Sequence, residues 1–171
     1  SETAIRPMLT PSLSLAAING PAMSVVAGPS DAVSELSSHL AEAGIAQLAV
    51  HSAHAFHSQM LAELKEPLCA LFGSVKLHPP TIPYLSNRSG TWITAAEATD
   101  PHHWARHTIE TVRFADGLTE LCGDPQRVFL EVGPGQTLCS LVLQLTSAQP
   151  RTQPSLPAAH EADADTATLA Q

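Results

Sequence analysis

Leu-Ser-Leu-Ala-Ala-Ile-Asn-Gly-Pro, residues 13–21, followed by Met-Ser-Val-Val-Ala-Gly-Pro, residues 23–29, is the stretch that decides the fold. Leu13–Ile18 predicts a strand, and Asn19-Gly20-Pro21 turns the chain. Met23–Ala27 predicts a second strand, closed by Gly28-Pro29. Two short strands this close in sequence predict a hairpin. Downstream, Ser30 or Asp31 is placed to cap a helix, with Glu35 near its first turn. Val33, Leu36, Leu40 and Ala43 recur at helical spacing on one face, and Gly44 ends the run. Ala46–Val50 then predicts another strand. Strand, strand, helix, strand is the latter part of a βαββαβ unit. Residues 1–50 therefore predict a partial ferredoxin-like subdomain in an α/β chain, with its first strand and most of its first helix expected before Ser1. A short helical piece, Glu2–Met8, comes first. There is no initiator Met, so the chain is expected to be cut from something longer.

Residues 51–146 predict a second α/β region. A histidine-dense segment, His51–Ser58, precedes a predicted helix over Gln59–Phe72, with Leu61, Leu64, Leu68 and Leu71 as its stripe and Pro67 as an irregularity. Pro79-Pro80 breaks the chain, Ile82–Ser86 predicts a strand, and Asn87-Arg88-Ser89-Gly90 a turn. Asp100-Pro101 opens a helix running to Thr108, because proline is tolerated at the first helical position. A further helix, Val112–Cys122, ends at Gly123. Arg127–Val132 predicts a buried strand that Gly133-Pro134-Gly135 turns directly into a helix, Gln136–Leu145. Beyond Thr146 the composition shifts to Gln, Pro, Ser, Ala, Asp and Thr without apolar periodicity, which predicts a flexible linker over 147–171.

The sequence has 171 residues, 44% of them apolar and 14% charged, enough for an ordinary domain with a real core. A net charge of −8 repels phosphate backbones, so nucleic acid is not an expected partner. No apolar run approaches the roughly 18 residues of a membrane span, and no basic-then-apolar signal opens the chain. Cys69, Cys122 and Cys139 form no CxxC pair and read as buried thiols in a reducing compartment. The expected location is the cytoplasm.

Histidine carries the candidate chemistry. His51, His54 and His57 form one group; His102, His103 and His107 form another. Metal ligation is one reading, but ligands at this spacing need a helix to face one way, the first group sits at a predicted strand end, and no HExxH string occurs. A general base is the other: an imidazole titrating near neutrality can take a proton from a serine or thiol, provided its second nitrogen is held by a partner. The Gly133-Pro134-Gly135 turn resembles a phosphate cradle only loosely, lacking GxGxxG and GxxxxGK[ST], and reads as a packing turn. No GxSxG nucleophile elbow occurs: Ser24, Ser52, Ser58, Ser86 and Ser89 all lack its context.

Taken together, several strings resemble the acyltransferase domains of polyketide synthases, the malonyl-CoA:acyl carrier protein transacylase family. They are residues 13–21 with Ser-Val-Val-Ala-Gly-Pro (24–29), Ser-Ala-His-Ala-Phe-His-Ser (52–58), Ile-Pro-Tyr-Leu-Ser-Asn-Arg-Ser-Gly (82–90), Trp104–Phe114, and Phe-Leu-Glu-Val-Gly-Pro-Gly (129–135). They follow the family's order over about residues 5–146, as its C-terminal part. The resemblance implies a ferredoxin-like subdomain beside the C-terminal part of an α/β hydrolase-like core over 51–146. It also implies Ser–His chemistry, in which an extender acyl group passes from coenzyme A to a serine and then to the phosphopantetheine thiol of an acyl carrier protein. His57, the second histidine of His-Ala-Phe-His, is then the catalytic base. His54, Ala55 and Phe56 are specificity residues, and the string is associated with malonyl units. Phe56 would fill the space an α-methyl needs, a discrimination of a few kcal/mol at most. His107 falls where the family places a backbone carbonyl that orients the base, and Asn19 lies in a loop on the pantetheine path. No bound cofactor and no metal are implied; malonyl-CoA is substrate, and the partners are the carrier protein and neighbouring synthase domains.

The sequence departs from the family's pattern in lacking the Gly-His-Ser-x-Gly elbow, the arginine for the malonyl carboxylate and the oxyanion-hole donors. It has Gln59 where proline is common. The chain alone is accordingly expected to be inactive. A non-catalytic docking module of acyltransferase-like shape is the alternative; an upstream reading frame encoding Gly-His-Ser-x-Gly separates the two.

Overall fold

The computed structural model describes residues 1–50, 52–145 and 150–156. In chain order the helices are α1 (Glu2–Ile5), α2 (Ser30–Glu42), α3 (Lys65–Gly73), α4 (Ala95–Ala98), α5 (Pro101–His107), α6 (Phe114–Cys122) and α7 (Thr137–Leu145). The strands are β1 (Ser14–Gly20), β2 (Met23–Ala27), β3 (Val128–Pro134) and β4 (Arg151–Leu156), and 3-10 turns cover Arg6–Met8 and Gln59–Leu64. The chain is α/β and divides into two compact units, Ser1–Gly117 and Leu118–Gln171. That division is not the one expected at residue 50, because β1 is bonded to the segment after α5. Among the described residues, no helix is long and apolar enough to cross a membrane.

In the first unit β1 and β2 form the expected antiparallel hairpin, with Ser14 opposite Ala27 and Gly20 opposite Met23. Register shifts leave Ala16 and Asn19 without opposite partners, so β1 is bulged. The other edge of β1 meets Val112: the Ile18 N–H donates to the Val112 carbonyl at 2.8 Å, and the Val112 N–H donates to Ala16 at 2.9 Å. Leu13, Leu15, Ala16, Ile18, Leu36, Ala98, Ala105, Ile109 and Ala115 are the buried apolar side chains of this unit.

Several local expectations change. Helix α2 begins at Ser30 itself after Pro29, so neither Ser30 nor Asp31 caps it. The strand expected over Ala46–Val50 is absent: this stretch has no backbone ladder, and Leu48 and Val50 are strongly exposed. A strand needs a neighbour for its N–H and C=O groups, and no described strand lies beside it. The predicted 59–72 helix splits into the 3-10 turn and α3, with Pro67 in the first turn of α3, where proline costs little. The four leucines do not share one environment: Leu64 and Leu71 are exposed, while Leu61 and Leu68 are half-buried. Helix α3 packs on α5. In place of a strand at Ile82–Ser86 there is one antiparallel bridge, Leu85 to Trp92. Helix α5 starts as expected, with Asp100 accepting from the His102 N–H at 2.9 Å.

In the second unit β3 pairs in parallel with β4, Val128 opposite Arg151 and Pro134 opposite Leu156. Strand β4 falls inside the stretch expected to be linker; residues 147–149 and 157–171 of that expectation lie outside the described residues. The Gly133-Pro134-Gly135 turn leads into α7, and Gly135 has φ +91°, a conformation that favours glycine. The Glu131 carboxylate, 9% exposed, sits over the start of α7 and accepts from the Leu138 N–H at 3.1 Å and the Cys139 N–H at 2.9 Å. The chain's own carboxylate thus occupies the first N–H groups of α7.

Candidate functional site

His57 stands at the end of the 52–58 loop. Ser58, fully buried, donates its hydroxyl to the Ala55 carbonyl at 2.6 Å and accepts from the Met60 N–H at 3.2 Å, capping the following 3-10 turn. His57 itself has φ +56°, the left-handed region, and is the one non-glycine residue there among the described residues. That conformation costs a side-chain-bearing residue about 1–2 kcal/mol, and such strain collects where geometry serves function. Long-range bonds hold it: its backbone N–H donates to the Thr108 carbonyl at 3.1 Å, and its ring Nδ1 lies 3.1 Å from the Glu110 carbonyl. A carbonyl can only accept, so Nδ1 carries the hydrogen, and in the neutral ring the lone pair is then on Nε2. This is the tautomer that a general base working through Nε2 requires.

The imidazole lines a cavity of about 480 Å³ together with Arg6, Ser14, Arg88, Glu110 and Arg113. The guanidinium charges around it are paired: Arg6 with Glu2, Arg88 with Glu110, and Arg113 with Asp116 and Glu2. The charged side chains of the wall are therefore paired, and Leu9, Leu13, Leu15 and Ile109 make much of the rest of it apolar.

The other sequence-predicted residues are distributed unevenly. The carbonyl facing Nδ1 of His57 belongs to Glu110, where the resemblance implied His107, because α5 ends at His107 and the chain turns before passing the ring. His107 instead stands edge-on to His57, ring centroids 5.8 Å apart. Burial above all, with like-charge repulsion from the neighbouring imidazoles in the same direction, holds the His107 imidazole below the usual histidine range, which favours a neutral ring. His54 and Phe56 stack edge-on at 5.9 Å, and Phe56 is 53% exposed. Ala55 contributes the carbonyl that fixes Ser58. Asn19 lies in strand β1 at its second bulge, where a loop was expected, and is not among the residues lining the cavity. Among the described residues, no group of three or more His, Cys, Asp or Glu side chains converges as a metal site.

Sequence reasoning missed Glu110 and Arg88. Glu110 acts through its backbone, which leaves no signature in residue type. Arg88 was visible as the one charge in the Asn87–Gly90 turn, but nothing local connects it to residue 110.

The family profile described as acyl transferase domain matches residues 1–169. The chain is 38% identical over 130 residues to a phenolphthiocerol/phthiocerol polyketide synthase protein of Mycobacterium tuberculosis, aligning 76% of its length with 9% of that protein. It is 36% identical over 138 residues to spectinabilin polyketide synthase system protein NorB of Streptomyces orinoci, aligning 81% of its length with 6% of that protein. The acyl transferase domain of SpnD, solved in complex with 2-(pent-4-yn-1-yl)malonyl, superimposes with a TM-score of 0.94 at 38% identity, over 99% of this chain and 42% of that one. A malonyl-CoA:acyl carrier protein transacylase (FabD) from Xanthomonas oryzae shares the fold at TM-score 0.74 and 22% identity. The chain therefore spans under a tenth of the length of the first two of these relatives and under half of the third.

Proposed function

The chain belongs to the acyl transferase domain family, and from that premise we propose that it supplies the base histidine of a Ser–His acyltransferase in a polyketide or hybrid peptide–polyketide synthase. The substrates in this reading are malonyl-CoA and the phosphopantetheine thiol of an acyl carrier protein. The observation that carries it is the ring of His57, held by the Glu110 carbonyl through Nδ1 with Nε2 left as base beside a cavity.

The reaction runs in two halves. Nε2 of His57 takes the hydroxyl proton of a serine lying outside these residues as that oxygen attacks the malonyl thioester; the proton then goes to the departing coenzyme A thiolate. In the second half Nε2 takes the proton of the carrier thiol, the thiolate attacks the serine ester, and the proton returns to the serine oxygen. Charge on the imidazolium is stabilised by the Glu110 carbonyl dipole at Nδ1. His54, Ala55 and Phe56 line the acyl side in this reading and favour malonyl over bulkier units, while Asn19 lies toward the pantetheine arm. The β1–β2 hairpin and α2 belong to a ferredoxin-like subdomain, and the remainder to a hydrolase-like core, in a cytoplasmic multidomain synthase.

The test uses the intact acyltransferase domain containing this chain, with malonyl-CoA and a phosphopantetheinylated carrier protein. His57→Ala should lower the rate of malonyl transfer by about 10²–10⁴-fold. A transfer rate equal to the parent's sinks the reading. Competing methylmalonyl-CoA in the same assay measures the selectivity.

A further inference from the structure

The placement of His57 depends on a peptide carbonyl, so the groups that hold that peptide govern the base. Glu110 follows α5, and its N–H donates to the Arg106 carbonyl at 2.9 Å. The chain beyond it is bonded on one side to the hairpin, with Thr111 Oγ1 donating to the Leu15 carbonyl at 2.7 Å. On the other side the Arg113 N–H donates to the Asn87 carbonyl at 2.7 Å. Between these anchors the Glu110 side chain reaches outward, 42% exposed, and accepts from Nε of Arg88.

Arg88 is itself fixed. It stands on a turn closed by the Ser86 N–H to the Thr91 carbonyl at 2.9 Å and the Gly90 N–H to the Ser86 carbonyl at 2.8 Å. The Ser86 hydroxyl oxygen, in a residue 3% exposed, accepts from the Arg88 N–H at 3.2 Å. At its other end the guanidinium meets the core: Nη1 lies 3.5 Å from Nδ1 of His103, which is 1% exposed. Burial first, and then the Arg88 charge, hold His103 below the usual histidine range, which favours a neutral ring; a guanidinium can only donate, so Nδ1 is the acceptor in this contact. A continuous path thus runs from a buried imidazole through a guanidinium and a carboxylate to the peptide that orients His57.

We propose that Arg88 is a positioning residue for His57, acting through Glu110. An ion pair this exposed contributes only about 0–1 kcal/mol to stability, so its consequence lies in geometry: it limits rotation of the Glu110 peptide and keeps its carbonyl on Nδ1. Arg88 also lines the cavity, and a direct contact with an anionic part of the substrate is the competing role. The two differ in what they change. Loss of a substrate contact common to ground and transition states raises KM alone; loss of positioning lowers kcat, because a displacement of about 1 Å can cost up to about a hundredfold.

The proposal rests on His57 being the base, and the experiment keeps the two apart by carrying His57→Ala alongside. In the intact acyltransferase domain, Arg88→Ala and Glu110→Gln are each expected to lower kcat for malonyl transfer by about tenfold to a hundredfold, with KM changed less than about twofold. The double variant should lose no more than either single one, because both break the same link. Arg88→Lys should recover part of the rate through its charge. Nitrogen-15 spectra of labelled histidine should show the Nδ1–H tautomer of His57 in the parent and loss of that preference in both single variants. An inactive His57→Ala beside a fully active Arg88→Ala overturns the positioning role alone. A raised KM with unchanged kcat, multiplicative losses in the double variant, or an unaltered His57 tautomer does the same. Full activity of His57→Ala removes the base itself.

Discussion

Replacing Glu131 by glutamine tests how the second unit is held together. In the parent, one carboxylate accepts from two backbone N–H groups at the start of α7, 3.1 Å from Leu138 and 2.9 Å from Cys139. A hydrogen bond to a charged group contributes about 1.5–3 kcal/mol net, against about 0.5–1.5 for a neutral pair. Glutamine keeps the shape but has one acceptor oxygen. One bond therefore weakens by about 1 kcal/mol, and the other N–H faces an NH₂ donor and loses about 1.5–3. The expected destabilisation is about 2–4 kcal/mol, read as a lower urea midpoint with an unchanged slope. The pH dependence has a definite sign. Burial alone would raise the Glu131 carboxyl; the N–H groups of Cys139, Leu138 and Thr137 and the Cys139 thiol outweigh it and hold the carboxyl below 4.5. A depressed folded value means that this stabilisation is present above 4.5 and is lost as the pH falls through the folded value. The gap between parent and Glu131→Gln should thus be widest near neutrality and narrow in acid. A destabilisation below about 0.5 kcal/mol, the low edge of a single neutral bond, or a gap that stays constant with pH, would refute the capping account.

Other outcomes follow from single contacts. Gly90 has φ +72°, and a Cβ there would lie 2.5 Å from the Asp116 Cβ and 3.4 Å from the Arg113 carbonyl; Gly90→Ala should cost about 2–4 kcal/mol in urea unfolding, and a cost below about 1 kcal/mol would show that the turn relaxes. The cysteines should separate in alkylation. Cys139 is buried with its thiol pushed up by burial and by Glu131, and the Cys122 thiol is pushed up by burial. Half-buried Cys69, its Sγ 3.2 Å from Nδ1 of His102, should react with iodoacetamide at least about tenfold faster than either; peptide mass spectrometry showing Cys122 or Cys139 modified first contradicts this ordering.

Much of this molecule is legible locally. Asn19-Gly20-Pro21 between two apolar runs announces the hairpin, Asp100-Pro101 the start of α5, and Gly133-Pro134-Gly135 the passage from β3 into α7. In each case a fixed φ, a missing N–H or a short side chain dictates the backbone on the spot. Residue type marked two groups of histidines for base or metal chemistry, and only the resemblance of His-Ala-Phe-His to the family's string singled out His57.

Features that depend on a distant partner were not legible. Ala46–Val50 has strand composition and no strand, since pairing belongs to the neighbour as much as to the segment. Residues 151–156 have linker composition and form β4, because β3 offers them a free edge. The orienting carbonyl was expected at His107 and belongs to Glu110, which lies 53 residues from His57 in sequence. Every residue has a carbonyl, so residue type cannot say which one will face a ring; only the packing of the turn after α5 against β1 and the Ser86–Thr91 turn decides it. The sequence by itself determined the hairpin and the start of α5, and its resemblance to the family named the candidate base. The tertiary structure decided which carbonyl meets the His57 ring and which charged pair, Arg88 with Glu110, sits at that peptide, because both bring together residues distant in sequence.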